Sequence, residues 1–325
     1  MEDDLDVAKQ VLRYLEILQV PVPYQDETEK ETCQKLLEKL SPEGVDDAAN
    51  ASYAYWLVST HHKDQLHQST PNHMALHEIR RHVHGQQGDA KAAFQTLQQA
   101  LKQRKEYNLP LLRSCFINDT TDSASDVEQK KKWRRMIRQD LQRQPMVVRG
   151  YDKKQQAVIY KPTRQAAGLV EQEDTYLVTQ LYTAERAMAT TEYVSRGANE
   201  KLTVLFSFQN YDSSNSPSLA TMKESTGLLQ SLYPERLQTL VILEPPFWMR
   251  GVYNLLYPFL SHVTRDKVQL ASGTERTDAI LRALIDPNQA MKEVLKDGKL
   301  VKPVDLEIYL QQVPSNRLYD DYLRA

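Results

Sequence analysis

The sequence has few of the features on which familiar functional classes depend. Of its 325 residues only Cys33 and Cys115 are cysteines, which is too few for a disulfide framework and favours free thiols in a reducing compartment. No apolar run approaches the ~20 residues that span a bilayer, and the acidic N-terminus has no character of a signal or transit peptide. The 41 basic and 43 acidic residues nearly balance, which argues against a dedicated nucleic-acid binder. These absences predict a cytoplasmic protein.

Catalytic signatures are missing as well. The sequence has no glycine-rich phosphate loop, no Gly-x-Ser-x-Gly elbow and no dinucleotide fingerprint, and no motif beside Cys115 marks it as a nucleophile. His73 and His77 are spaced to share one helical face, which would suit a metal. Arg80 and Arg81 beside them disfavour a cation, so we expect a polar, solvated helix, no metal and no enzyme.

What the sequence does contain begins with a helical first third. Apolar residues recur at helical spacing, and no long strand-like alternation interrupts them. We predict helices at about 4–18, 28–40, 46–60, 73–84 and 88–107. Residues 118–126 are rich in Asn, Asp, Ser and Thr, which predicts an exposed linker that leads into the next helix.

After this linker the pattern changes to alternating strands and helices. A charged helix at about 125–143 precedes a hairpin at 146–161, whose polar turn lacks the usual glycine. Helices are expected at about 173–197, 217–232 and 246–260, and apolar strands at 202–208, 240–243 and 267–270. Strands that alternate with helices imply crossover connections and a mainly parallel sheet. The predicted fold class is α/β with an α-helical lead.

The densest basic run is Lys130-Lys-Lys-Trp-Arg-Arg135. Near an anionic membrane each lysine contributes ~1 kcal/mol, so the run would help docking. The charge pattern favours instead the solvated face of a charged helix, with Trp133 and Met136 turned inward.

Four pieces of sequence resemble the CRAL-TRIO lipid-exchange family over roughly residues 140–272. They are the hairpin from Tyr151 to Tyr160, the passage from Thr191 to Phe206, the segment Leu232-Tyr-Pro-Glu-Arg-Leu237 before an apolar strand, and the stretch from Phe247 through Pro258-Phe-Leu260 to Thr264-Arg-Asp-Lys267. The tetrapeptide Tyr-Pro-Glu-Arg is weak alone. The order and spacing of all four pieces are fairly specific.

The resemblance implies a mixed, mainly parallel sheet that floors an apolar cavity, a mobile gate helix over the cavity, and an α-helical N-terminal subdomain. It divides the chain into a helical region at 1–125, a lipid-binding domain at 126–290, and a tail at 291–325 that packs on the domain. The family's Asp-x-x-Gly turn is replaced by Phe208-Gln-Asn-Tyr-Asp212, and its Gly-Gly close is missing. These departures bear on ligand identity more than on the fold.

The same resemblance implies a phospholipid ligand, with phosphatidylinositol first. Lys267 and the Thr264 hydroxyl would hold the phosphate, and Glu235 would accept a hydrogen bond from an inositol hydroxyl or order Lys267. The family also uses a basic residue from the helical subdomain, here Arg80 or Arg81. From the residues alone, a surface ion pair and a helix-end threonine are the ordinary alternatives.

The resemblance assigns the gate to the apolar segment 247–260, whose pattern alone also fits a buried helix of a doubly wound sheet. Each buried methylene gains ~0.8 kcal/mol relative to water, so a carrier's cavity must replace the bilayer almost completely. The side chains expected to form the cavity and gate are aromatic or aliphatic: Tyr160, Tyr182, Phe206, Phe208, Phe247, Trp248, Val252, Leu256, Phe259 and Leu260.

The sequence thus predicts a lipid-binding and transfer protein that associates peripherally with a transient membrane surface. The bound lipid is both ligand and cargo, and we expect no other cofactor, no metal and no nucleic acid. Two alternatives remain open. One is a carrier of another hydrophobic small molecule, tocopherol- or retinoid-like; the other is a scaffold with a vestigial cavity that binds a protein partner through the N-terminal helices.

Overall fold

The computed structural model describes residues 11–117, 122–143, 146–162, 173–209, 218–259 and 262–311. These residues form a helical region followed by a five-stranded mixed sheet with helices on both of its faces. None of the helices in the described ranges combines the length and the apolar character that a membrane span requires.

The helical region contains α1 (residues 11–17 of the described chain), α2 (Glu27–Leu37), α3 (Pro42–Ala49), α4 (Tyr53–His61), α5 (Thr70–Gly85), α6 (Ala90–Glu106), α7 (Leu109–Arg113) and α8 (Ala124–Arg143). Side-chain caps at Asp26, Ser41 and Asp89 accept backbone N–H groups at the starts of α2, α3 and α6. Such caps satisfy donors that a helix start leaves without intrahelical partners. The predicted linker at 118–126 lies partly outside the described residues, and its last residues already belong to α8.

The helix predicted at 46–60 is wrong in one respect, because the structure breaks it into α3 and α4. Ser52 caps α4 by accepting the N–H of Tyr55 at 3.2 Å. The N–H of Ala54 donates to the carboxylate of Glu192 at 2.9 Å. A partner 138 residues away therefore helps to start this helix, and local periodicity does not reveal such a contact.

The sheet has the strand order β1 (Val147–Tyr151), β2 (Ala157–Pro162), β3 (Leu202–Ser207), β4 (Leu237–Leu243) and β5 (Val268–Ala271). The β1–β2 pair is antiparallel and the other three pairs are parallel. This confirms the predicted mixed, mainly parallel sheet. It leaves β5 at one edge.

The β1–β2 turn has no glycine at its tip because Asp152 organises it. One carboxylate oxygen of Asp152 accepts the N–H groups of Lys154 and Gln156, each at 2.9 Å, and the other accepts the Thr203 hydroxyl at 2.9 Å. Gln155 adopts the left-handed φ of +61° that glycine usually supplies. The aspartate thus ties the hairpin turn to β3.

The remaining helices are α9 (Glu173–Ser195), α10 (Leu219–Leu232), α11 (Met249–Leu256), α12 (His262–Arg265), α13 (Thr274–Leu284) and α14 (Leu306–Gln311), with short 3-10 turns at Lys63–Gln65, Tyr257–Phe259 and Pro287–Gln289. The helix predicted at 246–260 is shorter in the structure, since regular α-helix ends at Leu256. Pro258 follows in a 3-10 turn, and proline has no N–H with which to continue the ladder.

The strand register gives the sheet two different faces. One face, which we call the gate-side face, carries Val204, Phe206, Leu240, Ile242, Val268 and Leu270. The opposite face carries Tyr160, Leu205, Val241 and Ala271, which pack with Leu281 of α13 and with the segment 285–300. Helices α9 and α10 cover the gate-side face where it runs over β2 and β3, and Ile159 and Val204 pack in that core.

Buried ion pairs join the helical region to α9. The Glu185 carboxylate accepts hydrogen bonds from Arg113 at 2.7 Å, from Arg104 at 3.3 Å and from the Tyr233 hydroxyl at 2.8 Å. Burial alone would raise the pKa of Glu185, but the guanidiniums of Arg113 and Arg104 hold that pKa below its usual value. The two parts of the chain therefore share a charged interior.

Candidate functional site

The amino ends of β3, β4 and β5 bring charged residues to one edge of the sheet. Lys201 immediately precedes β3, Glu235 lies two residues before β4, and Lys267 immediately precedes β5. Backbone hydrogen bonds of 2.8 Å tie these strand starts together. The end of α5 brings Arg80 and His84 to the same place.

Glu235 is the centre of this group. Its carboxylate lies 3.3 Å from the Lys267 ammonium and 4.0 Å from Nε2 of His84. The Glu235 side chain is 8% exposed and that of Lys267 17% exposed, so the pair is largely withdrawn from water. Glu235 also has a left-handed φ of +59°, an uncommon conformation for a residue with a side chain. The predicted Glu235–Lys267 association is present in the structure.

Thr264 reaches the same neighbourhood through a local turn. It lies in α12, and its carbonyl accepts the N–H of Lys267 at 3.1 Å. The turn fixes the two residues relative to each other at the entrance to β5. The structure therefore brings Glu235, Thr264 and Lys267 near one another, and their roles at a headgroup stay predictions.

Arg80 and Arg81 have different surroundings. Arg80 lies 3.5 Å from the carboxylate of Glu29, which is also 3.7 Å from His84. Arg81 is buried between the carboxylates of Glu78 and Glu200, which satisfy its charge. Arg80 is thus the arginine beside the site, and Arg81 belongs to the interior.

Lys201 is a member of the site that sequence reasoning missed. Burial first, and then the neighbouring Lys267 ammonium, lower the pKa of Lys201, while Glu235 opposes the shift. In the sequence, Lys201 stands immediately before β3. That position predicts a place in the site only once β3 is known to lie beside β4. We call Arg80, His84, Lys201, Glu235 and Lys267, with Glu29, the charged cluster.

The start of the predicted gate lies over the gate-side face. The Trp248 ring is 6.1 Å from that of Phe208, which is 4.5 Å from that of Phe206. Phe247 points away and is 94% exposed. Of these two consecutive aromatic residues, Trp248 therefore faces the sheet and Phe247 faces the solvent.

The structure describes only some of the other residues of the predicted gate. Leu255 and Tyr257 are exposed by 57% and 42%. Leu260, and the side chains of Val252, Leu256 and Phe259, lie outside the described part of the structure. Their predicted roles stay predictions.

A half-open cavity of about 710 Å³ lies beside β5, at the end of the gate-side face. Of the residues predicted to form the cavity, Phe247 lines it, while Phe206, Phe208 and Trp248 pack next to it. Its remaining lining residues were not singled out in the sequence: Pro245, Pro246, Val268, Gln269, Leu270, Ser272, Arg276 and Ile280.

Tyr160 and Tyr182 do not lie with the gate. Tyr160 is on the opposite sheet face, in the core formed with α13. Tyr182 packs on Phe116 in the core beneath α8, and its hydroxyl accepts a hydrogen bond from Arg186 at 3.1 Å. The two-residue alternation of β2 and the long helix α9 place these rings away from Trp248.

The structure explains the histidine pair and the basic run, which the sequence analysis did not assign to the functional site. Nε2 of His73 and of His77 lie 2.8 and 3.1 Å from the carbonyl oxygen of Val20. No group of three or more His, Cys, Asp or Glu side chains within the described ranges could hold a metal. In the basic run, Lys130 pairs with Asp122 at 2.7 Å and Trp133 is buried, whereas Lys131, Lys132 and Arg135 are exposed.

Comparisons with known proteins agree with this architecture. The CRAL/TRIO domain pattern matches residues 141–294. The crystal structure of Sfh5 superposes with a TM-score of 0.61 at 16% identity, over 93% of this chain and 97% of that one. At this identity the likeness concerns the fold.

Similar sequences include a CRAL-TRIO domain-containing protein of Schizosaccharomyces pombe, 30% identical over 24% of this chain and 8% of the relative. Patellin-3 of Arabidopsis thaliana is 26% identical over 66% of this chain and 41% of its own length. Phosphatidylinositol transfer protein PDR17 of Saccharomyces cerevisiae is 27% identical over 30% of this chain and 31% of its own length. The chain therefore spans less than half the length of each of these relatives.

Residues 141–294, which contain the mixed five-stranded sheet, therefore carry a CRAL/TRIO domain, and a helical region precedes it.

Proposed function

We propose that this chain is a non-catalytic carrier that binds a phospholipid, with phosphatidylinositol preferred, and exchanges it between membranes. The observation that carries the proposal is the partly buried Glu235–Lys267 pair at 3.3 Å, at the edge of an apolar sheet face. A lipid phosphate needs cations and hydrogen-bond donors when it leaves water. Lys267 can supply both.

The charge balance of the cluster supports a phosphodiester headgroup. Arg80, Lys201 and Lys267 carry three positive formal charges, and Glu29 and Glu235 carry two negative ones, so these five side chains sum to +1. A phosphodiester carries one negative charge and would neutralise this excess. Inositol hydroxyls are donors, and the carboxylates can accept them.

The exposed aromatic residues support exchange at a membrane surface. Phe247, Leu255 and Tyr257 present apolar area to solvent in the segment that follows β4. Clustered apolar side chains on a surface are typical of membrane or partner contacts, and aromatic rings favour the membrane interface. We propose peripheral membrane binding through this segment, which opens to let the acyl chains pass.

Vesicle-to-vesicle transfer tests the headgroup assignment. We expect Lys267→Ala and Thr264→Val to lower phosphatidylinositol transfer, the lysine change by at least about tenfold, because a charge-assisted contact to phosphate is lost. Lys63→Ala removes an exposed lysine far from the cluster and should leave transfer unchanged. Unchanged transfer by the Lys267 variant would contradict the assignment.

Mass spectrometry of lipids that co-purify with the protein tests the ligand itself. Recovery of phosphatidylinositol supports the proposal. A tocopherol- or retinoid-like molecule without phosphoinositide would replace it with a carrier of another hydrophobe. Absence of both lipid and transfer would favour a protein-interaction scaffold.

A further inference from the structure

Arg186, on α9, is a buried cation without a carboxylate partner among the residues that the structure describes. Only 7% of this residue is exposed. Its guanidinium donates a hydrogen bond to the Tyr182 hydroxyl at 3.1 Å and lies over the Tyr309 ring, 3.8 Å from the ring centroid. Because a buried charge is costly unless it is paired, the charge of Arg186 calls for a counterion.

The two neighbouring tyrosines do not supply that negative charge. Burial raises the pKa of the Tyr182 hydroxyl and that of the Tyr309 hydroxyl, although the Arg186 guanidinium opposes both shifts. Both hydroxyls therefore keep their protons at neutral pH. The rings stabilise the guanidinium through a hydrogen bond and a cation–π contact, which leave its net charge in place.

The carboxylates on this part of α9 are already engaged elsewhere. Glu185, the residue before Arg186, pairs with both Arg104 and Arg113. Glu192 accepts hydrogen bonds from one hydroxyl and two backbone N–H groups at the start of α4. The three arginines carry three positive formal charges and the two glutamates carry two negative ones, so these five side chains sum to +1.

A small cavity of about 10 Å³ lies beside this arginine, between α9 and the helical region. Tyr53 and Phe116 line it from the helical region, and Ala189 lines it from α9. Tyr182 and Arg186, which share a hydrogen bond, belong to the same lining. Space of this size holds one occupant about as large as a water molecule. Phosphate and carboxylate groups are too large for it, whereas a monatomic ion fits.

We propose that this cavity binds one chloride ion, held by the Arg186 guanidinium. A chloride ion is only slightly larger than a water molecule, accepts N–H hydrogen bonds, and carries the single negative charge that balances the five side chains. Water would accept the same hydrogen bonds but would leave the charge uncompensated. Arg113 and Glu185 also line the cavity, and their ion pair is already complete.

The ion would join the helical region to α9, because the cavity is lined by both. This site is separate from the proposed lipid site and does not depend on the carrier function. A ligand that binds only the folded chain raises its apparent stability as the ligand concentration rises. The proposal therefore makes the stability of the full chain depend on chloride.

Thermal unfolding in mixtures of sodium chloride and sodium gluconate tests this dependence. Gluconate is too large for the cavity and keeps the ionic strength constant. Replacing gluconate by chloride at about 0.5 M should raise the unfolding midpoint of the unmodified chain by at least about 3 °C. Arg186→Gln should abolish this rise, whatever its midpoint in gluconate, whereas Arg186→Lys keeps the charge and should retain part of the rise.

Two further variants separate the cavity from the charge alone. Ala189→Val fills the space and leaves the guanidinium in place, so it should also abolish the rise. Arg135→Gln removes an exposed arginine of α8 that does not line the cavity, and it should leave the rise unchanged.

Anomalous diffraction from bromide-soaked crystals of the unmodified chain locates the ion directly, without relying on a variant that folds. We expect a bromide peak within hydrogen-bonding reach of the Arg186 guanidinium. An ordered water in the cavity without such a peak would overturn the proposal. It would equally be overturned by a midpoint that does not respond to chloride, or by a response that Arg186→Gln or Ala189→Val retains in full.

Discussion

Glu235 combines an unfavourable backbone conformation with a buried charged side chain. Its φ of +59° places a residue with a side chain in the left-handed region, where strain of order 1–3 kcal/mol is typical. Its carboxylate meets Lys267 and His84 at the edge of the sheet. Backbone strain of this kind is concentrated at functional sites. We therefore expect that Glu235 serves ligand binding more than folding.

We therefore predict that Glu235→Asn separates binding from stability. Asparagine tolerates the left-handed region but carries no charge, so phosphatidylinositol transfer should fall at least about tenfold. The free energy of unfolding should stay within about 1 kcal/mol of the original value. Denaturant unfolding and vesicle transfer measure the two quantities.

Gln155→Asn is the matched control, because Gln155 has a φ of +61° in the β1–β2 turn and is not a member of the charged cluster. It should leave transfer unchanged. Loss of stability by the Glu235 variant without loss of transfer would show that Glu235 serves the fold alone.

The sequence predicted this residue but not all of its neighbours. Glu235, Thr264 and Lys267 stand at spacings that resemble the family, so they could be named beforehand. Lys201 and Glu29 could not, because their place in the cluster depends on which strands and helices pack side by side. The sequence could not decide between Arg80 and Arg81 either, because the choice depends on which face of α5 turns toward the site. In the structure Arg80 pairs with Glu29 and Arg81 pairs with Glu200.

At the scale of elements, the segment after β4 places two aromatic residues in opposite surroundings. Trp248 packs toward Phe208, and Phe247 is almost fully exposed. The predicted helix over 246–260 was too long, since Pro245, Pro246 and Pro258 confine regular helix to α11. Periodicity identified the apolar segment, but it did not show which residues face out.

We predict that Phe247→Ser weakens association with phospholipid vesicles several-fold, because an exposed aromatic ring is lost from the contact surface. The free energy of unfolding should change by less than about 0.5 kcal/mol, since the ring makes little contact in the folded protein. Vesicle co-sedimentation and thermal unfolding measure these effects. Leu12→Ser, at another exposed apolar residue, is the control and should not alter association. Equal losses from both variants would deny the segment a specific role.

At the scale of the whole molecule, ion pairs join the helical region to α9 and to the segment that follows it. Glu185 binds Arg104 and Arg113, and Glu200 binds Arg81. The sequence predicted both the helical lead and the α/β part, and the structure confirms that order of elements. It did not predict the charges between them, because the partners are 72 to 119 residues apart.

We predict that Glu185→Gln lowers the free energy of unfolding by about 3 kcal/mol at pH 7, because it leaves two buried guanidiniums short of an anion. Glu307→Gln breaks an exposed pair with Arg138 and should cost less than about 1 kcal/mol. Denaturant unfolding of both variants distinguishes the pairs. Similar small losses would mean that the Glu185 contacts contribute little.

The same carboxylate predicts how stability depends on pH. The folded pKa of Glu185 lies below that of the unfolded chain, so the unfolded state takes up the proton first. Stability from this group is complete above about pH 4.3 and decreases as the pH falls toward the folded pKa. Unfolding measured between pH 7 and pH 3 should show a shallower acid loss for Glu185→Gln. An unchanged acid profile would contradict this contribution.

These carboxylates also bear on where a stably folded fragment of this protein could begin and end. The span that matches the family, 141–294, contains Glu185 and Glu200 but excludes Arg81, Arg104 and Arg113. An excised fragment of that span would keep these carboxylates and lose the guanidiniums of Arg81, Arg104 and Arg113 that pair with them. Such a fragment is expected to aggregate or to hydrate its interior, so a boundary drawn by sequence likeness is not a boundary of autonomous folding.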